Sequence, residues 1–461
     1  MVMLENNTID TARRIAYSIS ERGGTAYFVG GFVRDKLLGK ENKDIDIEVH
    51  NISSDILEGI LSEFGEVIKC GASFGVYNIK GLNIDFALPR TEIKTGEKHT
   101  DFEVTVDSCL GVRRAAMRRD FTINAMMENV LTGEITDFWN GRADLGNQII
   151  RHIDDNTFKE DALRVLRAAQ FSARFGFDIA EETVELCRQI DLSALSGERV
   201  FAEMEKALMK SDKPSVFFEQ LRAMGQLDVW FPEAEALIGT KQNEVYHKEG
   251  DVWKHTMLVL DEAAKVREQA NQPFAFMMSA LCHDFGKPAA AFTDENGTTH
   301  SYQHETIGLP IVKTFIKRLS SNKKLIKYVL NMTELHMQPN IKAACGSKIK
   351  STNKMYDSSE EPRDLILLSE CDRLGKRPQG DSSRKFLEER LDIYREMMKK
   401  PYVTGKDLIA AGMTPNENFS DVLGYAHKLR LAGVNKSDAL RQTLAYANSG
   451  KKSQPTGKFS D

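Results

Sequence analysis

Asp44 and Asp46 carry the clearest chemical signal in this chain. They lie two apart in Asp44-Ile45-Asp46-Ile47-Glu48. On an extended segment side chains alternate faces, so both carboxylates point one way while Ile45 and Ile47 point into a core. Two carboxylates in one small volume repel unless a cation lies between them, and Mg²⁺ takes such oxygen sites together with substrate phosphates. The chemistry this implies is metal-assisted phosphoryl or nucleotidyl transfer. Asp85, on a second β-like run, would complete a three-carboxylate cluster. Upstream, Gly30 and Gly31 precede a helix-like run. Without a Cβ the backbone there can bend and approach a phosphate, and the helix start offers free N–H groups to an anion. Arg34 adds a fixed positive charge.

Three more groups have competent residue types. In Met117-Arg118-Arg119-Asp120-Phe121-Thr122-Ile123-Asn124, paired guanidiniums can hold a triphosphate and Asp120 can accept from a ribose hydroxyl; an internal salt bridge is the ordinary alternative. Asp161 and Arg164 are three apart in a helical pattern, hence neighbours on one face. Such an acceptor and donor side by side can imitate a Watson–Crick edge and read a base, although an i, i+3 surface ion pair is the common use of that spacing. The third group is His255, the adjacent His283 and Asp284, and the distant Asp372, a mixed nitrogen and oxygen set suited to a divalent metal. Of the ten histidines, His300, His304 and His336 also fall between His283 and Asp372.

The elements that must position these residues divide the chain in two. The first 145 or so residues mix helix and strand signals: an N-terminal helix, a strand around Ile45, a helix over Asp55 to Phe64, and the runs Val76–Ile79 and Leu82–Phe86 joined by Lys80-Gly81 as a hairpin turn. After Asp154 apolar residues recur at helical spacing from Phe158 to about Ala207, from Pro214 to Leu227, and through most of the remainder. Candidate linkers lie near Pro232, over Asp294 to Thr299 and over Lys350 to Arg363, and the tail from Asn448 has a disordered composition.

At 461 residues with 41% apolar content, the chain supports three or more domains. No apolar run approaches the roughly 20 residues that span a bilayer, and the N-terminus has no basic-then-apolar leader, so the expected location is cytoplasmic and no membrane partner is expected. The six cysteines are dispersed, with no Cys-x-x-Cys pair, which argues against a zinc ribbon or disulfide scaffold. A net charge of −5 requires any RNA contact to use local patches. Lys323 to Lys327, Lys342 to Lys354 and Lys428 to Lys452 are the candidates.

Taken together, Gly-Gly-x-Val-Arg-Asp-x-Leu-Leu-Gly with Asp-x-Asp, Arg-Arg-Asp-Phe-Thr-Ile-Asn-Ala, Glu-Asp-x-x-Arg and Glu198-Arg199-Val200-Phe201-x-Glu203 resemble, in order, the motifs of bacterial tRNA nucleotidyltransferases, the CCA-adding class. The match is strong over about the first 210 residues. The resemblance implies an α+β fold: a polymerase-β-like nucleotidyltransferase head with a small mixed sheet, then an all-α neck, a body and a tail. It implies addition of C, C and A to the tRNA 3′ end from CTP and ATP. Asp44 and Asp46 would hold two Mg²⁺ ions; Gly31, Arg34 and Arg119 would contact phosphates, Asp120 the ribose, and Asp161 with Arg164 the base, with Arg167 in support. One departure is Gln170, where some relatives carry another arginine. The His255, His283, Asp284, Asp372 series resembles an HD phosphohydrolase domain binding Mg, Mn, Ni or a similar ion, which implies phosphatase or 2′,3′-cyclic phosphodiesterase activity and extends the likeness to about residue 375.

The expected domains are 1–145 (head), 146–235 (neck), 236–375 (HD) and 376–461 (tail). Poly(A) polymerases and CC- or A-adding specialists share the head; the polar stretch Arg90 to Val104 fits a loop that switches from CTP to ATP and favours full CCA synthesis. An HD phosphohydrolase whose head merely binds nucleotide is the reading from another class.

Overall fold

The structure, a computed structural model, describes residues 2–449 apart from 43, 70–74, 95–101, 244–246 and 377–380. It divides into two compact units, Met1–Pro232 and Glu233–Asp461.

The first unit opens with helix α1 (Val2–Glu21) and then winds strands β1 (Thr25–Val29), β2 (Ile45–His50), β3 (Val67–Lys69), β4 (Val76–Ile79), β5 (Ile84–Ala87), β6 (Arg90–Lys94), β7 (Phe102–Val106), β8 (Met127–Asn129) and β9 (Ile135–Thr136). Seven of these form one sheet in the order β3-β4-β5-β2-β1-β8-β9, while β6 and β7 pair as a separate ribbon. The sheet is mixed, because β2 runs antiparallel to β1 and parallel to β5. Ile45 and Ile47 are buried and Asp46 between them is exposed, the alternation that a strand with one wet face requires. The apolar half of β2 thus fixes which way its carboxylates point.

The expected hairpin forms, but its turn is longer than Lys80-Gly81. The last pair is Asn78 with Asp85, so residues 80–83 all serve as connection, with Gly81 at φ +85°. Around the sheet lie α2 (Gly31–Leu37), α3 (Ser54–Ser62) and α4 (Val112–Met117). The helical periodicity from Phe158 to Ala207 resolves into α5 (Leu163–Phe175), a helix over Glu181–Arg188 and α6 (Gly197–Lys210). The first break falls at Gly176, whose left-handed backbone closes α5 through its N–H to the Ser172 carbonyl (2.8 Å), a stop that apolar spacing does not register.

Among its described residues the second unit is helical apart from one short hairpin, Phe292–Thr293 with Thr299–His300, so the polar stretch expected as a linker over Asp294 to Thr299 supplies its turn (294–298) and the first residue of its second strand. The helices that matter for the site are α7 (Val252–Val266), α8 (Pro273–Cys282), α9 (His304–Leu319), α10 (Lys323–Leu335) and α11 (Pro362–Gly375); α7 packs against α8 and α11, and α8 against α10. The linker expected over Lys350 to Arg363 is instead mostly a helix, Ile349–Ser358, that buries Met355 and Tyr356 and donates the Tyr356 hydroxyl to the Leu387 carbonyl at 2.7 Å. Cys70, Lys451, Lys452, most of the tail whose composition suggested disorder, and the tip of the Arg90 to Val104 stretch lie outside the described residues, while Asn448 ends a helix over Lys436–Asn448. Among the described residues no helix is long and apolar enough to cross a membrane.

Candidate active site and metal centre

In the parallel β2–β5 pair, Asp46 stands directly opposite Asp85; Asp44 precedes β2, is exposed, does not line the cavity, and reaches Asp46 through its charge. Asn78 donates to Asp85 (2.8 Å) and Asn83 to Asp44 (3.2 Å), which orients both carboxylates without neutralising them. Partial withdrawal from water raises the Asp46 pKa above the ordinary carboxylate value; Arg119 opposes, and the charges of Asp85 and Asp44 push further up. A carboxyl group so crowded gains from a divalent cation, and the all-oxygen donor set fits a hard ion such as Mg²⁺.

Asp46, Glu48 and Asp85 form the acidic wall of a cavity of about 610 Å³, and Arg118, Arg119, Arg164, Arg167 and Arg199 form much of the rest. Glu48 is the next residue in the 44, 46 alternation, and it binds Arg119 at 3.0 Å. Burial pushes the Glu48 carboxyl up, but His50 and Arg119 outweigh it and hold it below the usual range. Gly30 sits beneath this pair at φ +66°, where a Cβ would lie 3.2 Å from Arg119 Nη1 and 3.8 Å from Asp46 Oδ2. The glycine is needed twice there, for its backbone angle and for room beside the charges. Gly31 begins α2, where a Cβ would come within 3.4 Å of the Arg34 guanidinium.

Several expected contacts take another form. Arg34 does not line the cavity: it is 3% exposed, paired to Asp35 (2.7 Å), bonded to Asn124 Oδ1 (2.6 Å), and packed over the Phe171 and Phe175 rings. A guanidinium locked by aromatic faces and a buried carboxylate joins α2 to α5. Asn124 is the other half of that joint, donating to Asp120 at 2.9 Å. Asp120 lines the cavity and is held by Arg167 (Nε, 2.7 Å) and the Phe121 N–H (2.8 Å). Burial would raise its pKa, yet Arg167 and Asn124 overcome that and lower it.

Asp161 and Arg164 both line the cavity but are not an i, i+3 helical pair, because α5 starts at Leu163. Asp161 precedes the helix, accepts the Leu163 N–H (3.1 Å), and is bound twice by Arg199 at 2.9 and 3.0 Å. Arg164 donates to the carbonyls of Thr157 (2.6 Å) and Arg118 (2.7 Å), and burial lowers its pKa. The two groups are therefore positioned separately, each by its own partners. Gln170 is buried, away from the lining. Sequence reasoning missed Glu48 and Arg199 as site residues; the period-2 run of acids and the Glu-Arg-Val-Phe motif were the signals.

In the second unit His255 (on α7), His283 and Asp284 (after α8) and Asp372 (on α11) converge. His255 Nε2 is 3.1 Å from Asp372 Oδ1, 3.4 Å from His283 Nε2 and 3.6 Å from Asp284 Oδ2, and all four are buried. His283 places Nδ1 at 2.8 Å from the Ala280 carbonyl; a carbonyl only accepts, so the proton is on Nδ1 and Nε2 presents a lone pair. Glu249 lies 3.2 Å from His255 Nδ1. Burial would raise both aspartates, but His283 and Lys287 hold Asp284, and Lys376 and His255 hold Asp372, well below the carboxylate range. The ligand atoms of His255, His283 and Asp372 lie close enough to share one divalent metal, with Asp284 Oδ2 beside the two histidines.

A family model for the poly A polymerase head domain matches residues 26–151, one for the probable RNA and SrmB-binding site of polymerase A matches 176–238, and one for the HD domain matches 252–376. The chain is 34% identical over 376 residues to the multifunctional CCA protein of Actinobacillus pleuropneumoniae serotype 5b, covering 79% of this chain and 88% of that protein. It is 36% identical over 366 residues to the multifunctional CCA protein of Pasteurella multocida, covering 76% and 84%. Its fold is similar to that of the Bacillus stearothermophilus CCA-adding enzyme in complex with CTP, with a TM-score of 0.68, 21% identity, and 96% and 98% of the two chains covered.

Proposed function

The chain belongs to the family of multifunctional CCA proteins, and from that premise we propose that it adds C, C and A to the 3′ end of tRNA, drawing on CTP and ATP. The observation that carries the reading is the Asp46–Asp85 register, opening on a cavity whose lining includes Arg118, Arg119, Arg164, Arg167 and Arg199. Arg118 and Arg119 would take the triphosphate; Glu48 and Gly30 keep Arg119 aimed there. Asp120, held by Arg167, would accept from the ribose. Asp161 and Arg164 would read the base, each held by its own partners, Arg199 for Asp161 and the Thr157 and Arg118 carbonyls for Arg164. Two Mg²⁺ ions at Asp44 and Asp46, with Asp85, would supply activation of the RNA 3′-hydroxyl and charge neutralisation on the triphosphate.

We divide the labour as head (1–145), base-reading neck (146–235), HD hydrolase (236–375, divalent metal at His255, His283, Asp284 and Asp372) and tail (376–461). With tRNA as substrate, the enzyme works in the cytoplasm. The polymerase A description of the head's family model keeps one second reading in play, repeated AMP addition. One assay decides: tRNA lacking its last three nucleotides is incubated with CTP, ATP or both. CCA synthesis gives two added residues with CTP and three with both, whereas long tails from ATP alone mean a poly(A) polymerase. Asp46→Ala should abolish addition in every case.

A further inference from the structure

The polar face of β2 does not end at Glu48. Strand alternation puts His50 next in the series Asp46, Glu48, His50, with Ile45, Ile47 and Val49 on the apolar face. His50 is nonetheless only 1% exposed. It is a buried imidazole on the same side of the strand as the acidic cluster, and the contacts it makes there lead to the cavity.

His50 Nε2 lies 2.9 Å from Glu48 Oε1, and Arg119 Nη2 lies 3.0 Å from Glu48 Oε2. Each carboxylate oxygen thus has its own donor, because a carboxylate only accepts and the imidazole must carry a proton on Nε2. His50 Nδ1 is buried with no hydrogen-bond partner among the described residues, so Glu48 is what the ring is turned towards. Tyr27 fixes the plane of that ring. It stands opposite Glu48 in the β1–β2 register and meets the imidazole edge-on, with centroids 5.6 Å apart and planes at 89°.

Arg119 depends on this arrangement. Its Nε is buried without a hydrogen-bond partner among the described residues, and its Nη1 lies against Gly30. The Nη2 contact with Glu48 is therefore the grip that aims the guanidinium. Glu48 in turn stands about 7 Å along the strand from Asp46 on the same face. A carboxylate free to turn there would drag Arg119 with it or swing towards the metal ligands. With Oε1 taken by His50, the carboxylate cannot rotate, and Oε2 stays on Arg119. A second layer of hydrogen bonds behind a contacting group is what holds such a group at a fixed geometry.

We propose that His50 is a positioning residue for nucleotide addition: by donating to Oε1 it locks the Glu48 carboxylate, so that Oε2 holds Arg119 in the orientation that meets the triphosphate. His50 touches neither nucleotide nor metal, and its role rests on the reading of the head as a nucleotidyltransferase with Arg119 on the phosphates.

Addition of CMP to tRNA lacking its last three nucleotides is followed at varied CTP with the full-length protein. His50→Leu keeps about the same volume and removes the donor. Its KM for CTP should rise about tenfold, the size of a lost hydrogen bond to a charged group, while kcat stays within about twofold. His50→Gln carries an amide nitrogen near the Nε2 position and should bring KM back towards the parent value, whereas His50→Asn, whose amide stops short of Glu48, should raise KM as His50→Leu does. In a Glu48→Gln background His50→Leu should raise KM no further, because the coupling runs through the carboxylate. An unchanged KM in His50→Leu, a rise that persists in His50→Gln, or an undiminished effect in the Glu48→Gln background assigns His50 to packing and overturns the proposal. Where His50→Leu fails to fold, the Gln and Asn variants decide, since both carry an amide and differ in reach. A parent enzyme that adds no CMP sinks the nucleotidyltransferase reading itself, and the role of His50 with it.

Discussion

Arg199 lines the cavity beside Asp161, the carboxylate proposed to read the base. Its guanidinium binds both oxygens of Asp161, and a charge-assisted pair of this kind is worth about 1.5–3 kcal/mol. In Arg199→Ala the Asp161 carboxylate is free to rotate, and preference between CTP and ATP should relax by about tenfold, a change of about 1.4 kcal/mol, with a smaller effect on the rate for the correct nucleotide; unchanged selectivity in single-nucleotide incorporation would exclude Asp161 from base reading. Asp120 offers a stability test. Its pKa is lowered in the folded state, so its contribution is present above the unfolded value of about 3.9 and is lost as pH falls through the lower folded value. Asp120→Asn should lower the thermal midpoint at pH 7, and the gap from the parent should close as the pH is taken below about 3.9. A gap independent of pH would assign the loss to packing.

At the scale of elements, the turn between β1 and α2 matters most. Gly30 combines φ +66° with a side-chain-free surface against Arg119 and Asp46. Gly30→Ala introduces strain of about 1–2 kcal/mol at the backbone and presses on the Arg119 guanidinium. Addition should fall at least tenfold, with the KM for nucleotide rising because Arg119 is displaced from the triphosphate path. A variant with unaltered KM would show that Arg119 does not hold phosphate. Arg34, by contrast, belongs to the joint between α2 and α5, so its replacement is expected to loosen that packing.

At the scale of the whole molecule, the chain divides into two compact units, the acidic cavity lying in the first and the close metal-ligand groups in the second. Asp46→Ala should therefore abolish nucleotide addition and spare phosphatase activity, and His283→Ala should do the reverse. Both are read on one preparation with a truncated tRNA and a chromogenic phosphate ester. Loss of both activities from His283→Ala would mean that the second unit serves the head structurally.

The sequence by itself determined the kinds of chemistry and the family. Alternation of acid and isoleucine along β2, the HD pair, and the order of the motifs are local or colinear signals, and a strand or helix period converts them directly into a shared face. Only the tertiary structure decided which partners each charge would have. Arg34 was legible as a cation but not as one buried against Phe171 and Asn124. Asp161 looked like a helical neighbour of Arg164 until the start of α5 at Leu163 gave it to Arg199. His304 and His336 were conspicuous imidazoles that meet at Asp284, beside a close contact of Gly286 with the start of α9. Pairing of this kind is set by close packing between segments far apart in the chain, and composition or spacing carries no record of it.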